Sequence, residues 1–198
     1  MNRKWFLPGL ALALLAIIAL AYLALNQRTA LNGSSIQPPV NMGDFTLQSD
    51  AGPVTLSQFR GKHVILFFGF THCKDICPVT MALLKKSLSQ LGPDAEKFQV
   101  IFVSVDPARD TPQISSEYAR LFNPAFLGLT GSTAEIETVT KQYGISYELL
   151  PPDANGDYEV EHTASVLVLN TQGELMLTWP FGLQAEQMEQ DMKAIVNQ

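Results

Sequence analysis

An apolar, β-rich run at Lys62–Phe70 (KHVILFFGF) constrains the fold more than any other feature of this chain. Runs of this kind form strands that are buried on both faces of a central sheet. The run leads into a loop that holds the two cysteines, Cys73 and Cys77, and after Pro78 apolar residues recur at helical spacing as far as Leu91. The sequence therefore predicts a cysteine loop at a strand-to-helix junction.

The alternation of strand and helix continues along the chain and predicts an α/β domain. Gln99–Val105 is typical of a second buried strand and Thr111–Phe122 of a helix, and this order implies parallel strand pairing. Phe45–Leu56, with a turn at Asp50–Gly52, predicts a small N-terminal hairpin. The remaining predicted elements are a short strand at Phe126–Leu129, a helix at Ser132–Tyr143, a strand at Ile145–Leu150, a turn at Asn155–Gly156, an antiparallel hairpin of Ser165–Leu169 with Glu174–Thr178, and a helix at Gln184–Val196. The expected architecture is a central mixed sheet flanked by helices.

The N-terminal segment, residues 5–25, is almost entirely apolar and predicts one transmembrane helix. About 20 helical residues span the hydrocarbon core of a bilayer. Arg3 and Lys4 precede the segment, so residues 1–4 are expected in the cytoplasm and the rest of the chain outside. In a bacterium this describes a single-pass protein of the inner membrane with its soluble domain in the periplasm. A cleaved signal peptide is the alternative, with Ala19-Leu20-Ala21 as a peptidase site, although its apolar core would exceed the usual ~7 to 15 residues.

A polar stretch at residues 26–43, which contains Pro38-Pro39, predicts a tether, and the folded domain is expected at residues 44–198. The formal net charge of the chain is −6. Three of the 13 basic residues but none of the 19 acidic residues precede Asp44, so the domain is more acidic than the whole chain. Nucleic acid is excluded as a partner because its phosphates require a basic surface.

The spacing of Cys73 and Cys77 favours a pair of reactive thiols over a structural disulfide. Two cysteines in an exported domain suggest a structural disulfide, but a bridge across three residues closes a very short loop and adds little stability. The N-terminus of a helix stabilises a thiolate, and the cation of Lys74 is expected to add to this effect. Both thiols are therefore expected to be acidic and accessible, and paired thiolates suit soft metal ions, Cu(I) above all.

Two sulfur ligands leave room for a third ligand, and His162 is the best candidate among the three histidines. His63 lies at the far end of the strand from the cysteines. His72 points away from them if neighbouring side chains alternate, and is interpreted as structural. His162 precedes the Ser165–Leu169 strand, which can bring its ring to the cysteine loop. The alternative for His162 is an ordinary histidine at the end of a strand.

An acidic segment, Asp106–Thr111, follows the second buried strand and has two interpretations. It can supply a carboxylate that supports a metal site from outside the ligand shell. It can equally be a strand-to-helix turn in which Asp110 caps the helix. No metal ligand is assigned to this segment.

Three motifs in the chain closely resemble the Sco/SenC family. They are FFGFTHCKDICP at 67–78, SVDPARDTP at 104–112 and EHTASVLVL at 161–169, and the resemblance covers most of the chain from about Asp44. Two residues depart from the family pattern, since Lys74 replaces a common proline and Glu161 stands where aspartate is usual. Neither departure removes a ligand.

The resemblance implies a thioredoxin-like fold and a role in handling copper for the assembly of the binuclear copper centre of cytochrome c oxidase. It assigns copper to Cys73, Cys77 and His162. The expected cargo is Cu(I), with Cu(II) as a second oxidation state, and the expected acceptor is the copper-binding subunit of the oxidase. The protein would then be a copper chaperone rather than an enzyme.

The same residues also fit three other interpretations. A thiol-disulfide oxidoreductase would use Cys73 as the attacking thiolate and Cys77 as the resolving thiol, and would reduce the acceptor's cysteines without needing His162. A peroxidase of the peroxiredoxin type would share the strand-loop-helix framework and would consume peroxide. Zinc can also be held by two cysteines, one histidine and a water.

Overall fold

The structure, a computed structural model, describes residues 14–17 and 31–197. The chain divides at Ala30 into two units, and residues 14–17, in the first, are helical and exposed. The rest of the predicted transmembrane segment 5–25, and residues 1–4 before it, lie outside the described residues. Within the described ranges, no helix combines the length and the apolar character needed to cross a bilayer.

The second unit is a mixed α/β domain, as predicted. Its described residues form the strands β1 (Ser34–Val40), β2 (Thr46–Ser49), β3 (Gly52–Thr55), β4 (His63–Gly69), β5 (Phe98–Ser104), β6 (Leu127–Leu129), β7 (Tyr147–Leu149), β8 (Val160–His162), β9 (Val166–Leu169) and β10 (Leu175–Trp179). Its helices are α1 (Ile76–Leu91), α2 (Pro112–Phe122), α3 (Thr133–Gln142) and α4 (Ala185–Val196). Six strands make one sheet in the order β1-β10-β9-β4-β5-β6.

Strand β4 is the central element of this sheet. It pairs in parallel with β5 along its whole length and antiparallel with β9. Every residue from Val64 to Gly69 is buried, because neighbouring strands cover both edges and the packed layers cover both faces. This confirms the buried strand predicted from the apolar run. Helices α1 and α4 pack against each other, and α2 packs on β6.

The N-terminal hairpin predicted from Phe45–Leu56 is confirmed and consists of β2 and β3. It forms a sheet of its own, but two backbone hydrogen bonds of 2.7 and 3.0 Å join Gln48 to Thr130, just after β6. Phe45 and Leu47 of the hairpin are buried in the core. The hairpin thus covers the β6 end of the domain.

Residues 34–40, which lie within the predicted tether 26–43, belong to the folded domain instead. They form the edge strand β1, paired antiparallel with β10, with an irregularity in register between Ser35 and Val40. An edge strand uses its hydrogen-bonding groups on one side only, so Pro38 and Pro39 are tolerated there. The two prolines therefore indicate an edge strand here rather than a free linker.

The Asp191 carboxylate of α4 holds the start of this edge strand. Asp191 is buried, and its oxygens accept hydrogen bonds from the backbone N–H of Asn32 (2.7 Å) and of Gly33 (3.0 Å). They also accept from the Asn32 side-chain amide (2.9 Å) and from the indole N–H of Trp179 (2.8 Å). Four N–H donors thus compensate for the desolvation of one buried carboxylate.

We expect Asp191→Ala to lower the free energy of unfolding by about 3 kcal/mol, because it leaves four donors without their shared acceptor. Chemical denaturation of the full chain measures this change. Asp94→Ala is the matched control, since Asp94 pairs with Lys97 on the surface at 2.8 Å, and about 0.5 kcal/mol or less is expected there. Equal losses in the two variants would contradict this account of the edge strand.

Candidate metal centre

The two cysteines lie where β4 ends and α1 begins. The Gly69 carbonyl accepts a 2.8 Å hydrogen bond from the Val105 N–H, so the parallel pairing extends to the last residue of β4. The chain then turns through a loop that contains Cys73, and Cys77 is the second residue of α1. A Cβ atom at Gly69 would lie only 2.7 Å from the Cys77 sulfur and 3.1 Å from the Phe102 ring. Glycine at this position therefore makes room for the sulfur.

Cys73 and Cys77 have different environments, although both are free thiols. Cys77 is fully buried and Cys73 is half-buried. The helix start has no side-chain cap, and the Cys77 N–H donates instead to the Cys73 sulfur at 3.4 Å. Burial raises the pKa of the Cys77 thiol strongly, although a backbone hydrogen bond at Phe70 acts in the opposite direction. The prediction that both thiols are acidic and accessible is therefore wrong for Cys77, because desolvation outweighs the helix terminus.

The His162 imidazole completes a cluster with these sulfurs. Its Nε2 atom lies 3.5 Å from the Cys77 Sγ atom. Its Nδ1 atom lies 3.1 Å from the Thr163 carbonyl oxygen, which can only accept, so the proton belongs on Nδ1 and the Nε2 lone pair faces the cysteines. Burial lowers the pKa of His162, with the Thr163 hydrogen bond opposing it. The neutral ring is thus the stable form, and it is the form that binds metal ions.

A two-stranded ribbon, residues 147–162, carries His162. It consists of β7, β8 and the loop between them, and it is hydrogen-bonded as a sheet separate from the six-stranded one. The predicted turn at Asn155–Gly156 lies in its loop, where the Asp153 carboxylate accepts from the N–H groups of Asn155 (2.8 Å) and Asp157 (3.0 Å). His162 is therefore the last residue of the ribbon rather than part of the β9 strand it precedes.

The donor atoms of Cys73, Cys77 and His162 all lie within 4.8 Å of one another. Three donors bound about 2.2 Å from one ion in a trigonal arrangement stand about 3.8 Å apart, so the cluster has the dimensions of a metal site. Two thiolates and an imidazole form a soft ligand set that suits Cu(I) or zinc better than calcium or magnesium. Across the described ranges, 14–17 and 31–197, no other group of three or more Cys, His, Asp or Glu side chains is close enough to share an ion.

Aromatic side chains surround this cluster, and the sequence patterns did not identify them as part of a site. The rings of Phe67 and Phe70 lie edge-on to His162, with centroids at 6.2 and 6.0 Å. The Tyr118 ring packs on Phe102 at 4.9 Å, and its buried hydroxyl has no hydrogen-bond partner. Burial raises the pKa of the Tyr118 hydroxyl, and ionisation of the two nearby cysteines would raise it further. Aromatic residues in strands and helices are typical of any core, so their spacing in the sequence cannot show that these rings surround a site.

The other two histidines lie outside the cluster. His72 is exposed, and its Nδ1 atom lies 3.2 Å from the Thr71 hydroxyl and 3.6 Å from the Asp110 carboxylate. His63 lies at the opposite end of β4, where it stacks on Phe98 with ring centroids at 5.2 Å. Both positions agree with the sequence-based interpretation of these residues.

The carboxylate of Asp110 does not cap α2, contrary to one interpretation of the acidic segment. Thr111 is the N-cap, and its hydroxyl accepts from the Ile114 N–H at 3.2 Å. The buried Asp110 carboxylate accepts instead from the N–H (2.8 Å) and hydroxyl (2.6 Å) of Thr71 and from the Ser104 hydroxyl (2.5 Å). Asp110 thus binds the start of the cysteine loop to the end of β5.

A second carboxylate of this segment, Asp106, is also buried and also lies outside the cluster. It pairs with Arg109 at 2.5 Å and accepts from the Tyr158 hydroxyl of the ribbon at 2.7 Å. Lys74, which was expected to stabilise a thiolate, extends into solvent, with its ammonium 3.5 Å from Glu159. The polar contacts around the site therefore connect loops to one another rather than supply further ligands.

This chain is similar in sequence to a mammalian mitochondrial protein. The mitochondrial SCO2 homolog of Mus musculus is 39% identical over 140 residues, which cover 69% of this chain. The chain spans about half the length of such relatives, 55% in this case.

Two solved structures from bacteria share the fold. Apo Sco1 of Thermus thermophilus superposes with a TM-score of 0.77 at 39% identity, and the match covers 85% of this chain and 98% of that one. ScoI of Bradyrhizobium japonicum, solved with copper bound, has a TM-score of 0.71 at 35% identity, with coverage of 77% and 98%. The domain therefore has the thioredoxin-like fold of these proteins.

Family assignment follows from the extent of the match as well as from the fold. The profile of the SCO1/SenC family matches residues 34–197, which include β1 and everything that follows it in the described domain. The cysteine loop and His162 both lie inside this range. This chain belongs to the SCO1/SenC family.

Proposed function

We propose that this protein is a copper chaperone that binds copper through Cys73, Cys77 and His162. The observation that carries this proposal is the cluster itself, in which three soft donor atoms lie within 4.8 Å of one another. Copper as Cu(I) prefers thiolate ligands and tolerates three-coordinate sites, whereas structural zinc sites have four ligands. The ScoI protein of Bradyrhizobium japonicum, which is 35% identical, was solved with copper bound, and this supports copper over zinc.

The cluster suits a cargo that must be both held and released. Apolar rings line the histidine side of the site and keep water away from the ligands. The half-buried Cys73 gives an incoming ligand access to the ion. A three-coordinate ion can accept a new ligand before it loses an old one, so transfer need not pass through free copper. The acceptor in this proposal is the copper-binding subunit of cytochrome c oxidase, at its binuclear copper site, as the family resemblance implies.

We expect the full chain to bind one Cu(I) ion and expect Cys73→Ala or Cys77→Ala to abolish this binding. His162→Ala should weaken it by about tenfold or more, since loss of a ligand costs at least as much as loss of a group that supports one. Competition with a chromophoric Cu(I) chelator measures the affinities. His72→Ala is the matched control, and its affinity should equal that of the wild type. A wild-type chain that takes up no copper, or a His72→Ala variant as weak as His162→Ala, would refute the proposed site.

A second candidate function is that of a thiol-disulfide oxidoreductase, and the unequal burial of the two cysteines favours it. The half-buried Cys73 thiolate would attack a disulfide of the acceptor and form a mixed disulfide. Cys77 would then attack the Cys73 sulfur and release the acceptor as a dithiol, which leaves a Cys73–Cys77 disulfide. Two electrons pass from this chain to the acceptor, and His162 takes no part.

The His162→Ala variant separates the two functions. If copper transfer is the main role, His162→Ala should fail to load an apo acceptor with copper while it still reduces the acceptor's disulfide at about the wild-type rate. Copper delivery and thiol release can be measured on the same acceptor with the same variant. Full assembly of the copper site by His162→Ala would instead favour the oxidoreductase.

We also propose that residues 5–25 anchor the chain in the bacterial inner membrane, with the domain in the periplasm. The apolar length of this segment and the two cations before it support this orientation. An anchor would keep the domain close to a membrane-bound acceptor.

We expect the full chain to stay in the membrane fraction after an alkaline carbonate wash and to be digested by protease added to spheroplasts. A chain that begins at Leu31, with the domain intact, should be released by the same wash. The mass of the mature protein decides between an anchor and a signal peptide, because cleavage after Ala21 would shorten the chain and refute the anchor.

A further inference from the structure

We infer that Arg109 is a positioning residue that holds His162 against the two cysteines, an inference that rests on the copper-binding function proposed above. Arg109 lies in the loop between β5 and α2 and does not touch the donor atoms. It acts on the ribbon that carries His162.

The ribbon is not hydrogen-bonded into the six-stranded sheet, so side chains must hold it in place. Among the described residues, the polar contacts from the ribbon to other elements are those of His162 with Cys77, Glu159 with Lys74, and the Tyr158 hydroxyl and carbonyl with Asp106 and Arg109. The Lys74–Glu159 pair is exposed on both sides, with 86% and 54% of the side chains accessible, and such pairs stabilise little. The shielded polar attachment is therefore at Tyr158, and the buried side chain of Val160 adds an apolar one.

Three interactions join Arg109 to Tyr158, two of them direct and one through Asp106. Its Nη1 group donates to the Tyr158 carbonyl oxygen at 2.8 Å, and its guanidinium carbon lies 3.5 Å above the centre of the Tyr158 ring. Its Nε group donates to Asp106, which in turn accepts from the Tyr158 hydroxyl at 2.7 Å. Arg109 and Asp106 are 19% and 1% exposed, so this pair is shielded from solvent, unlike the pair at Lys74. Stacking and a planar fork of donors are properties of arginine that lysine lacks.

The same guanidinium also reaches the wall of the metal site. It lies 5.8 Å from the centre of the Phe70 ring, and that ring lies edge-on to His162 at 6.0 Å. Tyr158 is four residues before His162 in the ribbon, and the intervening Val160 is buried. Arg109 is therefore bonded to the backbone that leads to His162 and also lies over the ring against which the imidazole rests.

A double-mutant cycle tests this inference on the full chain. Arg109→Met, which keeps an unbranched stem but removes the guanidinium, should weaken Cu(I) binding about 10- to 100-fold, the range for groups that orient a metal ligand. The same substitution in the His162→Ala background should cause no further loss, because Arg109 acts through the histidine. Competition with a Cu(I) chelator gives the four affinities. Arg120→Met is the matched control, since Arg120 makes a two-point bond to Asp50 (2.7 Å each) that involves neither the ribbon nor the cysteine loop.

Tyr158→Phe provides a second variant in case Arg109→Met fails to fold. It keeps the ring under the guanidinium and removes only the bond to Asp106, so a smaller loss of affinity is expected, and this loss too should vanish without His162. Losses that are equally large with and without His162, or wild-type affinity in both Arg109→Met and Tyr158→Phe, would overturn the inference. A wild-type chain that binds no Cu(I) would overturn the proposed function itself, which is a different result.

Discussion

Strand β4 is the constraint on which the rest of the structure depends. It is bonded to β5 on one edge and to β9 on the other, and its buried residues leave no freedom in register. Both faces of β4 are buried, so a slip of one residue would exchange side chains of different size, from phenylalanine to glycine, between two packed layers. The end of β4 is thereby fixed at Gly69, and the position of the cysteine loop is fixed with it. Gly69 then leaves the space that the Cys77 sulfur occupies.

Burial decides the chemistry of the site that follows this strand. It raises the pKa of the Cys77 thiol and lowers that of His162, so both groups favour their neutral forms. Two adjacent thiolates are thus avoided in the buried part of the site. A metal ion that binds there must displace the Cys77 proton, which soft ions with a strong preference for sulfur do most readily. The same burial makes Cys77 a poor first nucleophile, and Cys73 is the thiol that an external partner can reach.

The local features of the fold could be predicted from the sequence, and the features that depend on distant residues could not. The apolar run and the helical spacing after Pro78 indicated β4 and α1 because each pattern is complete within its own segment. Strand β1 was missed because its start is held by Asp191, 159 residues away from Asn32. The burial of Cys77 depends likewise on the absence of a side chain at Gly69 and on packing by other strands.

In the candidate site too, the three proposed ligands could be predicted from the sequence, and the residues that support them could not. The resemblance to a family pointed to Cys73, Cys77 and His162, and these are the residues that the fold brings together. Their supporting residues could not be read from spacing, since the acidic segment offers two carboxylates with different roles. Asp110 binds the cysteine loop through Thr71, whereas Asp106 binds the ribbon through Tyr158. Only the fold determines which carboxylate faces which loop.

The three proposed ligands are attached to the domain in different ways, and this sets the order in which they would leave a bound ion. Cys77 is buried in the first turn of α1, and the loop that carries Cys73 is bonded to the end of β5 through Thr71 and Asp110. His162 lies at the end of a ribbon that a few side chains fasten, and regions with few buried contacts open at a lower free-energy cost than the core. Under the proposed function, an acceptor ligand that approaches over the half-buried Cys73 would displace His162 first. The two sulfurs would keep the ion until the acceptor offers thiolates of its own.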